Sequence, residues 1–197
     1  MEVSVVVPAH NEAGNLERLV EATTEVLDSP SFGHEYELLL VDDNSTDDAP
    51  AVCDRLVKEY EHVRTLHRTE NGGFGNAIKA GLQGARGDVL IPFMGDLSDD
   101  PADIPELVAA IEDGYDIAYG SRFVDGGSVE GYPRLKLLYN RGFNNCVRLM
   151  FGVRARDVTN AFTAYRAEVI ETVGVDTLTS ESFDLTAELP LRAHIEG

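Results

Sequence analysis

An acidic turn follows directly after a short apolar stretch near the middle of the chain. The stretch is Val89–Phe93, and Asp96 lies just beyond it. Such a run is typical of a strand buried on both faces of a parallel sheet, and these sheets bind ligands beyond the carboxyl ends of their strands. Asp96 is therefore placed to hold a divalent cation against a phosphate group. Alternatively, Asp96, Asp99 and Asp100 only cap the helix that begins near Pro101.

Polar residues also follow three other predicted strands. They are Pro8, His10, Asn11 and Glu12 after the first strand, Asp42, Asp43, Asn44 and Ser45 after the second, and Gly120, Ser121 and Arg122 after the fifth. Convergence of four strand ends on one crevice is stronger evidence for a ligand site than any single motif. Taken alone, His10 is more often an N-terminal helix residue. Asp42 and Asp43 alone fit a helix-initiating turn capped by Ser45 or Asp47.

A glycine-rich segment, Asn71–Gly75, matches a dinucleotide-binding loop only in part. Ile78 stands where the third glycine is needed, and the segment follows the third predicted strand rather than the first. We interpret these glycines as letting the backbone pass close to a ligand or to a neighbouring loop. The sequence has neither a Gly-Lys-Ser/Thr phosphate loop nor a Gly-x-Ser-x-Gly elbow, which excludes the usual P-loop nucleoside triphosphatases and α/β-hydrolases.

The elements that must position these residues alternate between strands and helices. The apolar patterns predict strands at Val3–Val7, Tyr36–Val41, Val63–Leu66, Val89–Phe93 and Asp116–Tyr119, and helices at Ala13–Leu27, Asp47–Tyr60, Gly75–Ala85 and Ile104–Glu112. This order predicts an α/β fold on a mostly parallel, doubly wound sheet. The length of 197 residues fits one domain.

The pattern changes after Gly120. A glycine-rich stretch leads into a predicted amphipathic helix, roughly residues 134–151. Six basic residues and no acidic one lie between Arg134 and Arg156, in a chain whose net charge is −19. A basic island on so acidic a chain indicates an anion-binding surface, although a solvated helix face would look the same. The mixture of basic and apolar residues suits a helix on a membrane surface or around a lipid tail. Packing on the domain's own sheet is the competing interpretation.

A last helix is predicted from about Phe183 to Ile195, interrupted by Pro190. The chain stops at Gly197 without an obvious closing strand, which suggests truncation at the C-terminus.

Composition narrows the class of protein further. The net charge of −19 argues against a nucleic-acid partner. Neither an 18-residue apolar run nor a secretory leader is present, and two distant cysteines, Cys53 and Cys146, suit a reducing cytoplasm. Strong acidity with only three lysines against thirteen arginines predicts a halophilic source, because concentrated salt screens the self-repulsion of such a chain.

A series of motifs resembles the inverting glycosyltransferases of family 2, above all the dolichol-phosphate mannosyltransferase (polyprenyl-phosphate glycosyltransferase) branch. The motifs are VSVVVPAHNEAGNL, LLLVDDNSTD, the glycine loop, ARGDVLIPFMGDLSDDP, YGSRFVDGG and RDVTNAFTAYR. The resemblance implies a GT-A fold, with a nucleotide-binding part over about residues 1–122 and an acceptor- and membrane-facing part over about residues 123–197. It implies transfer of a sugar from a GDP- or UDP-hexose to dolichyl or polyprenyl phosphate, with Mg²⁺ or Mn²⁺, peripherally at the inner face of the cell membrane.

The resemblance also assigns roles to individual residues. Pro8, His10, Glu12, Val41 and Asp43 would line the nucleotide base and ribose, while Gly95, Asp96 and Ser98 would face the diphosphate and metal. The expected catalytic set is Asp96 as metal ligand, with Arg122 and Lys136 on the donor and acceptor phosphates. Arg134 or Arg141 would assist Lys136. The acceptor phosphate is already anionic at neutral pH, so a strong general base is not required.

One departure from the family pattern concerns its usual Asp-x-Asp, which here reads Met94-Gly95-Asp96. Without the first carboxylate, the ribose contact or metal affinity must come from elsewhere, or the donor differs. Asp99 and Asp100 are candidate substitutes, and helix capping explains them equally well. A second departure is His10, where an aromatic Tyr is common.

Two other functions stay open. One is a glycosyltransferase of the same fold with a sugar or protein acceptor, which needs a carboxylate base near the donor sugar. The other is a non-catalytic nucleotide-sugar-binding subunit.

Overall fold

The structure, a computed structural model, describes residues 1–70, 72–120 and 160–196. Within them six strands form one sheet in the order β3-β2-β1-β4-β6-β5. The strands are β1 (Glu2–Ala9), β2 (Glu35–Asp43), β3 (Val63–Arg68), β4 (Val89–Pro92), β5 (Ile117–Tyr119) and β6 (Thr163–Arg166). The helices are α1 (Ala13–Leu27), α2 (Ala49–Glu59), α3 (Phe74–Gly84), α4 (Ile104–Glu112), α5 (Ala167–Val173) and α6 (Leu185–Glu196). Short 3₁₀ turns lie at Pro101–Asp103 and Val175–Thr177.

Helices cover both faces of the sheet, which explains why β1 and β2 are buried along most of their length. Successive residues of β1 point to opposite faces, so Val5 packs with α1, α2 and α4, whereas Val6 packs with α3, α5 and α6. The result is a three-layer α/β architecture. The predicted strands and helices up to Tyr119 are confirmed, with ends that differ by a few residues.

The sheet is mixed because β6 lies between β4 and β5 and runs antiparallel to both. Helical and strand periodicity did not predict β6, which is only four residues long. Its central residues, Ala164 and Tyr165, are buried. The last predicted helix also differs, since α6 continues through Pro190 without a break. Packing of its buried residues Leu189 and Ala193 outweighs the one hydrogen bond that the proline cannot donate.

Several predictions fall on residues outside the described ranges. They concern Asn71, the glycine-rich stretch after Gly120, the amphipathic basic helix, and the side chains of Arg122, Arg134, Lys136 and Arg141. Across the described residues, none of the helices has the length and apolar character needed to cross a membrane. The division of the chain near residue 122 stays a prediction.

Candidate functional site

A cleft of about 550 Å³ opens at the carboxyl ends of β1, β2 and β4. Its lining residues are Pro8, Ala9, His10, Glu12, Asp43, Gly72, Gly73, Phe74, Ala77, Met94, Gly95, Asp96 and Phe183. This is the crevice in which open α/β sheets bind their ligands. Carboxylates and glycine backbone line part of it, and aromatic and aliphatic side chains line the rest.

Six of the predicted site residues meet in this cleft: Pro8, His10, Glu12, Asp43, Gly95 and Asp96. Two others do not line it. Val41 is fully buried against α3, so its side chain supports the cleft from below. Ser98 is exposed beside Asp96, and its backbone N–H donates to Asp96 Oδ1 at 3.0 Å.

Asn11 locks the loop after β1 to the loop after β2. Its Oδ1 accepts hydrogen bonds from the backbone N–H groups of Thr46 at 2.8 Å and Asp47 at 3.2 Å. Asn11 itself adopts a left-handed backbone conformation, with φ of 58°. Asp47 then caps two helices, because its carboxylate accepts from the N–H groups of Ala13 in α1 and Ala49 in α2. The sequence predicted only the cap on α2.

The side chain of His10 is fixed by two partners. Its Nδ1 lies 2.9 Å from the backbone carbonyl of Asp43, and its Nε2 lies 3.1 Å from Nδ2 of Asn11. A carbonyl oxygen can only accept and an amide nitrogen can only donate, so these two contacts fit the tautomer with its proton on Nδ1. The ring is exposed and borders the cleft, where a flat ligand group can approach it.

Asp43 is buried at the floor of the cleft, with 4% of its surface exposed. The guanidinium of Arg68 donates to its Oδ1, and the N–H of Gly73 donates to its Oδ2 at 2.6 Å. Each carboxylate oxygen therefore already has a protein donor. The carboxylate joins β2 and β3 to the glycine loop.

Asp42, the residue just before Asp43, points away from the cleft into a second cluster of titratable side chains. Its Oδ2 lies 3.0 Å from His67 Nδ1, and His67 Nε2 lies 3.2 Å from Asp54 Oδ1. The hydrogen bond with Asp42 raises the pKa of His67. Burial alone would raise the pKa of Asp42, but hydrogen bonds from Ser45 and His67 outweigh burial and lower that pKa. His67 lies directly opposite Asp42 in the β2–β3 pairing. Alignment of the two strands was the signal that could have found this contact.

The loop after β4 carries Asp96 into the cleft. A Cβ on Gly95 would lie 2.7 Å from the carbonyl oxygen of Pro8, so only glycine allows the loop to press against the end of β1. Asp99 accepts from the N–H of Met94 at 3.0 Å, and Asp100 accepts from that of Ala102 at 2.9 Å. Asp100 is thus the helix cap. Neither Asp99 nor Asp100 lines the cleft, so neither replaces the missing first carboxylate there.

Asp96 is an exposed carboxylate in the loop that follows β4. In the part of the chain that the structure describes, no three His, Cys, Asp or Glu side chains come together as a metal cage. Magnesium is commonly held by one or two carboxylates together with substrate phosphates and water. A single carboxylate facing a cleft fits that mode of binding, and Met94 adds no further ligand oxygen.

The glycine loop passes close to the backbone of a segment that precedes α6. The carbonyl of Glu181 accepts from the N–H groups of Gly75 at 3.0 Å and Asn76 at 3.3 Å. A Cβ on Gly75 would lie 2.7 Å from the carbonyl carbon of Glu181. Of the two interpretations of these glycines, close passage of a neighbouring loop is the one realised at Gly75. The same segment brings Phe183 to the cleft, which the sequence had indicated only as a helix start.

Comparisons with known proteins identify the family. The profile of the family described as "Glycosyl transferase family 2" matches residues 4–174. The chain belongs to this family. It is 37% identical over 176 residues to dolichol-phosphate mannosyltransferase of Pyrococcus furiosus, covering 88% of this chain and 48% of that protein. It is 36% identical over 177 residues to glycosyltransferase AglD of Haloferax volcanii, covering 89% of this chain and 28% of that protein.

A third relative is covered more completely. Polyprenol monophosphomannose synthase of Mycolicibacterium smegmatis is 32% identical over 197 residues, with 98% of this chain and 72% of that protein aligned. The chain spans less than half the length of the Pyrococcus and Haloferax relatives.

Solved structures share the fold. Glucosyl-3-phosphoglycerate synthase from Mycobacterium tuberculosis in complex with UDP superposes with a TM-score of 0.70 at 18% identity, covering 96% of this chain and 64% of that one. The same enzyme with Mn²⁺, UDP and glucosyl-3-phosphoglycerate gives a TM-score of 0.70 at 21% identity, covering 96% and 63%. The predicted GT-A fold is confirmed.

Proposed function

We propose that the protein is an inverting glycosyltransferase that moves a hexose from a nucleotide-sugar donor to dolichyl or polyprenyl phosphate. The observation that carries the proposal is Asp96, an exposed carboxylate at the end of β4 in a cleft that also receives the ends of β1 and β2. The relatives named for transfer to a polyprenyl or dolichyl phosphate support this acceptor, and the donor base and sugar are left to experiment.

At the donor, Asp96 would hold Mg²⁺ or Mn²⁺ against the diphosphate. When bound, the cation neutralises charge on the nucleoside diphosphate as it leaves. His10, with Pro8, Glu12 and Asp43, would border the base and ribose. The His10 ring offers a flat face to the base, and the buried Asp43 keeps the floor of the cleft fixed through Arg68 and Gly73. Gly95 and Ser98 would lie beside the diphosphate.

Arg122 is proposed to stabilise the charge that develops on the leaving donor diphosphate. Lys136, with Arg134 or Arg141 beside it, is proposed to bind the acceptor phosphate. Bringing the anionic acceptor in line with the donor's anomeric carbon supplies much of the rate, because orientation converts a bimolecular step into a local one. Attack from the side opposite the leaving group inverts that carbon. The basic, apolar segment at about residues 134–151 would rest on the inner face of the membrane, where the lipid phosphate is found.

A halophilic source is part of the same proposal, and the Haloferax relative supports it. In molar salt the fold should gain stability, because salt screens the net charge of −19. A melting temperature that falls as salt is added would contradict this.

The test is a panel of radiolabelled GDP- and UDP-hexoses, each incubated with a short polyprenyl phosphate and Mg²⁺ or Mn²⁺. The proposal predicts label in the solvent-extractable fraction, dependent on acceptor and cation. Label confined to water-soluble products would favour the transferase with a sugar or protein acceptor. Donor binding without release of nucleoside diphosphate would favour a non-catalytic subunit.

A further inference from the structure

An aromatic pair forms one side of the cleft. The rings of Phe74 and Phe183 stack with centroids 4.3 Å apart and an angle of 10° between planes. Phe183 is 60% exposed, which is unusual for a large apolar side chain that is already packed against another ring. Exposed apolar surface inside a concave site is typical of ligand-binding grooves.

The segment that carries Phe183 is held in place before any ligand arrives. The carboxylate of Glu188 accepts from the N–H and hydroxyl of Thr179, at 3.1 and 3.2 Å, and from the N–H of Ser180 at 2.8 Å. Farther along, the Glu181 carbonyl is bonded to the first turn of α3. The segment that leads to Phe183 is therefore tied to α6 through Glu188 and to α3 through Glu181. This reduces the conformational entropy lost when a ligand binds to Phe183.

The position of the pair points to the donor rather than to the lipid tail. Phe74 follows Gly73, whose N–H binds the cleft carboxylate Asp43. Both rings line the same cleft as Asp43 and Asp96. Carboxylates suit the hydroxyl groups of a sugar nucleotide, and a flat apolar ring suits the face of a base or hexose. An isoprenoid chain has no group for those carboxylates to bind.

We propose that Phe183, backed by Phe74, is a further donor-binding residue whose exposed ring stacks on a ring of the nucleotide sugar. The inference rests on the proposed function. The shared chemistry is a ring face, supplied either by the nucleobase or by the hexose, and the ligands used in the test distinguish these two sources.

Fluorescence provides the direct test because the chain contains no tryptophan. Phe183→Trp introduces a single indole at the cleft. Tyr115→Trp is the matched control, since Tyr115 is 64% exposed in the turn before β5 and does not line the cleft. Each variant is titrated with nucleoside diphosphates, intact nucleotide sugars and a short polyprenyl phosphate, with Mg²⁺ present.

We expect saturable changes in Phe183→Trp emission with nucleotide ligands and none in Tyr115→Trp. A response to the nucleoside diphosphate alone assigns the base as the stacking ring, and a response that requires the intact nucleotide sugar assigns the hexose. A response to polyprenyl phosphate but to no nucleotide would overturn the inference in favour of the acceptor. Equal responses in both variants would also overturn it.

Kinetics separates this inference from the proposed function. Phe183→Ala should raise the KM for the donor about 3- to 10-fold, the effect of one lost aromatic contact, with the KM for the acceptor unchanged. Phe183→Tyr, which keeps the ring, should restore the donor KM. If an active Phe183→Ala enzyme has the wild-type KM for the donor, the role of Phe183 is refuted and the proposed function is not affected. A wild-type chain that transfers sugar from no donor refutes the proposed function, while the tryptophan titration still reports on binding.

Discussion

The two halves of the cleft use their acidic residues in opposite ways. At the ends of β1 and β2, Asp43 is buried and both of its oxygens accept from protein donors, Arg68 and Gly73. At the end of β4, Asp96 is exposed and its Oδ1 accepts from Ser98 within the same turn. The first half is a preformed wall, and the second keeps a charge available for a ligand.

The difference follows from how deeply each carboxylate is buried. A buried carboxylate is tolerated only when donors compensate its lost hydration, so Asp43 stabilises the fold around it. An exposed carboxylate stabilises little, so Asp96 can be reserved for a cation and a diphosphate. Substitutions on the two sides should therefore separate. A change at Asp96 should lower activity and leave stability unchanged, whereas a change at Asp43 should lower stability.

Asp96→Ala should give the largest effect. We expect transfer to fall at least about a hundredfold, the scale of losing a key electrostatic contact to the developing charge. The melting temperature should stay unchanged because the side chain is exposed. Asp48→Ala is the control, since Asp48 is an exposed acid without a side-chain cap hydrogen bond at the start of α2. Near-normal turnover in Asp96→Ala would refute the assignment of this carboxylate as metal ligand.

Asp43→Ala, on the other side of the cleft, should lower the stability of the fold, which Asp96→Ala should not. Removing the carboxylate removes the ion pair that Asp43 makes with the mostly buried Arg68 and the acceptor of the Gly73 N–H. Breaking a buried pair typically costs about 3 kcal/mol, which denaturant unfolding would measure. Combining Asp43→Ala with Arg68→Ala should cost less than the sum of the two single changes. Strict additivity would show that the pair does not stabilise the wall.

The sequence predicted the elements through Tyr119 because apolar runs mark the buried strands and helical periodicity marks the helices between them. Six of the predicted site residues lie in the cleft. It could not predict the contacts that depend on strand alignment, such as the one between His67 and Asp42. Nor did periodicity reveal Phe183, whose place in the cleft depends on a loop held by Glu188, far from β1 in the chain. Periodicity reports burial, whereas these contacts depend on how distant segments meet.

A change at Glu188 should have a smaller effect, and it tests whether Glu188 stabilises the segment that carries Phe183. Burial would raise the pKa of Glu188, but hydrogen bonds from Ser180 and Thr179 outweigh burial and lower that pKa from 4.5 to about 2. The folded state thus favours the charged form, so its stabilisation is complete above pH 4.5 and is lost as pH falls toward 2. Glu188→Gln should melt below the wild type at neutral pH and approach it in acid. A difference independent of pH would contradict this role.

A change at His67 should have the smallest effect on stability, and its pH dependence should be opposite to that of Glu188. The pKa of His67 is raised above 6.5 chiefly by the hydrogen bond with Asp42, so the folded state binds its proton more tightly than the unfolded chain does. This stabilisation is complete below pH 6.5 and disappears as pH rises through the folded pKa. His67→Asn should therefore lower the melting temperature at pH 6 more than at pH 9.

Asp54→Asn should change that pH dependence less than Asp42→Asn, because Asp42 contributes the main hydrogen bond. Because His67 pairs with Asp42 and does not line the cleft, the KM for the donor should barely move at pH 6. A large change in KM there would mean that the first wall is not as rigid as its hydrogen bonds indicate.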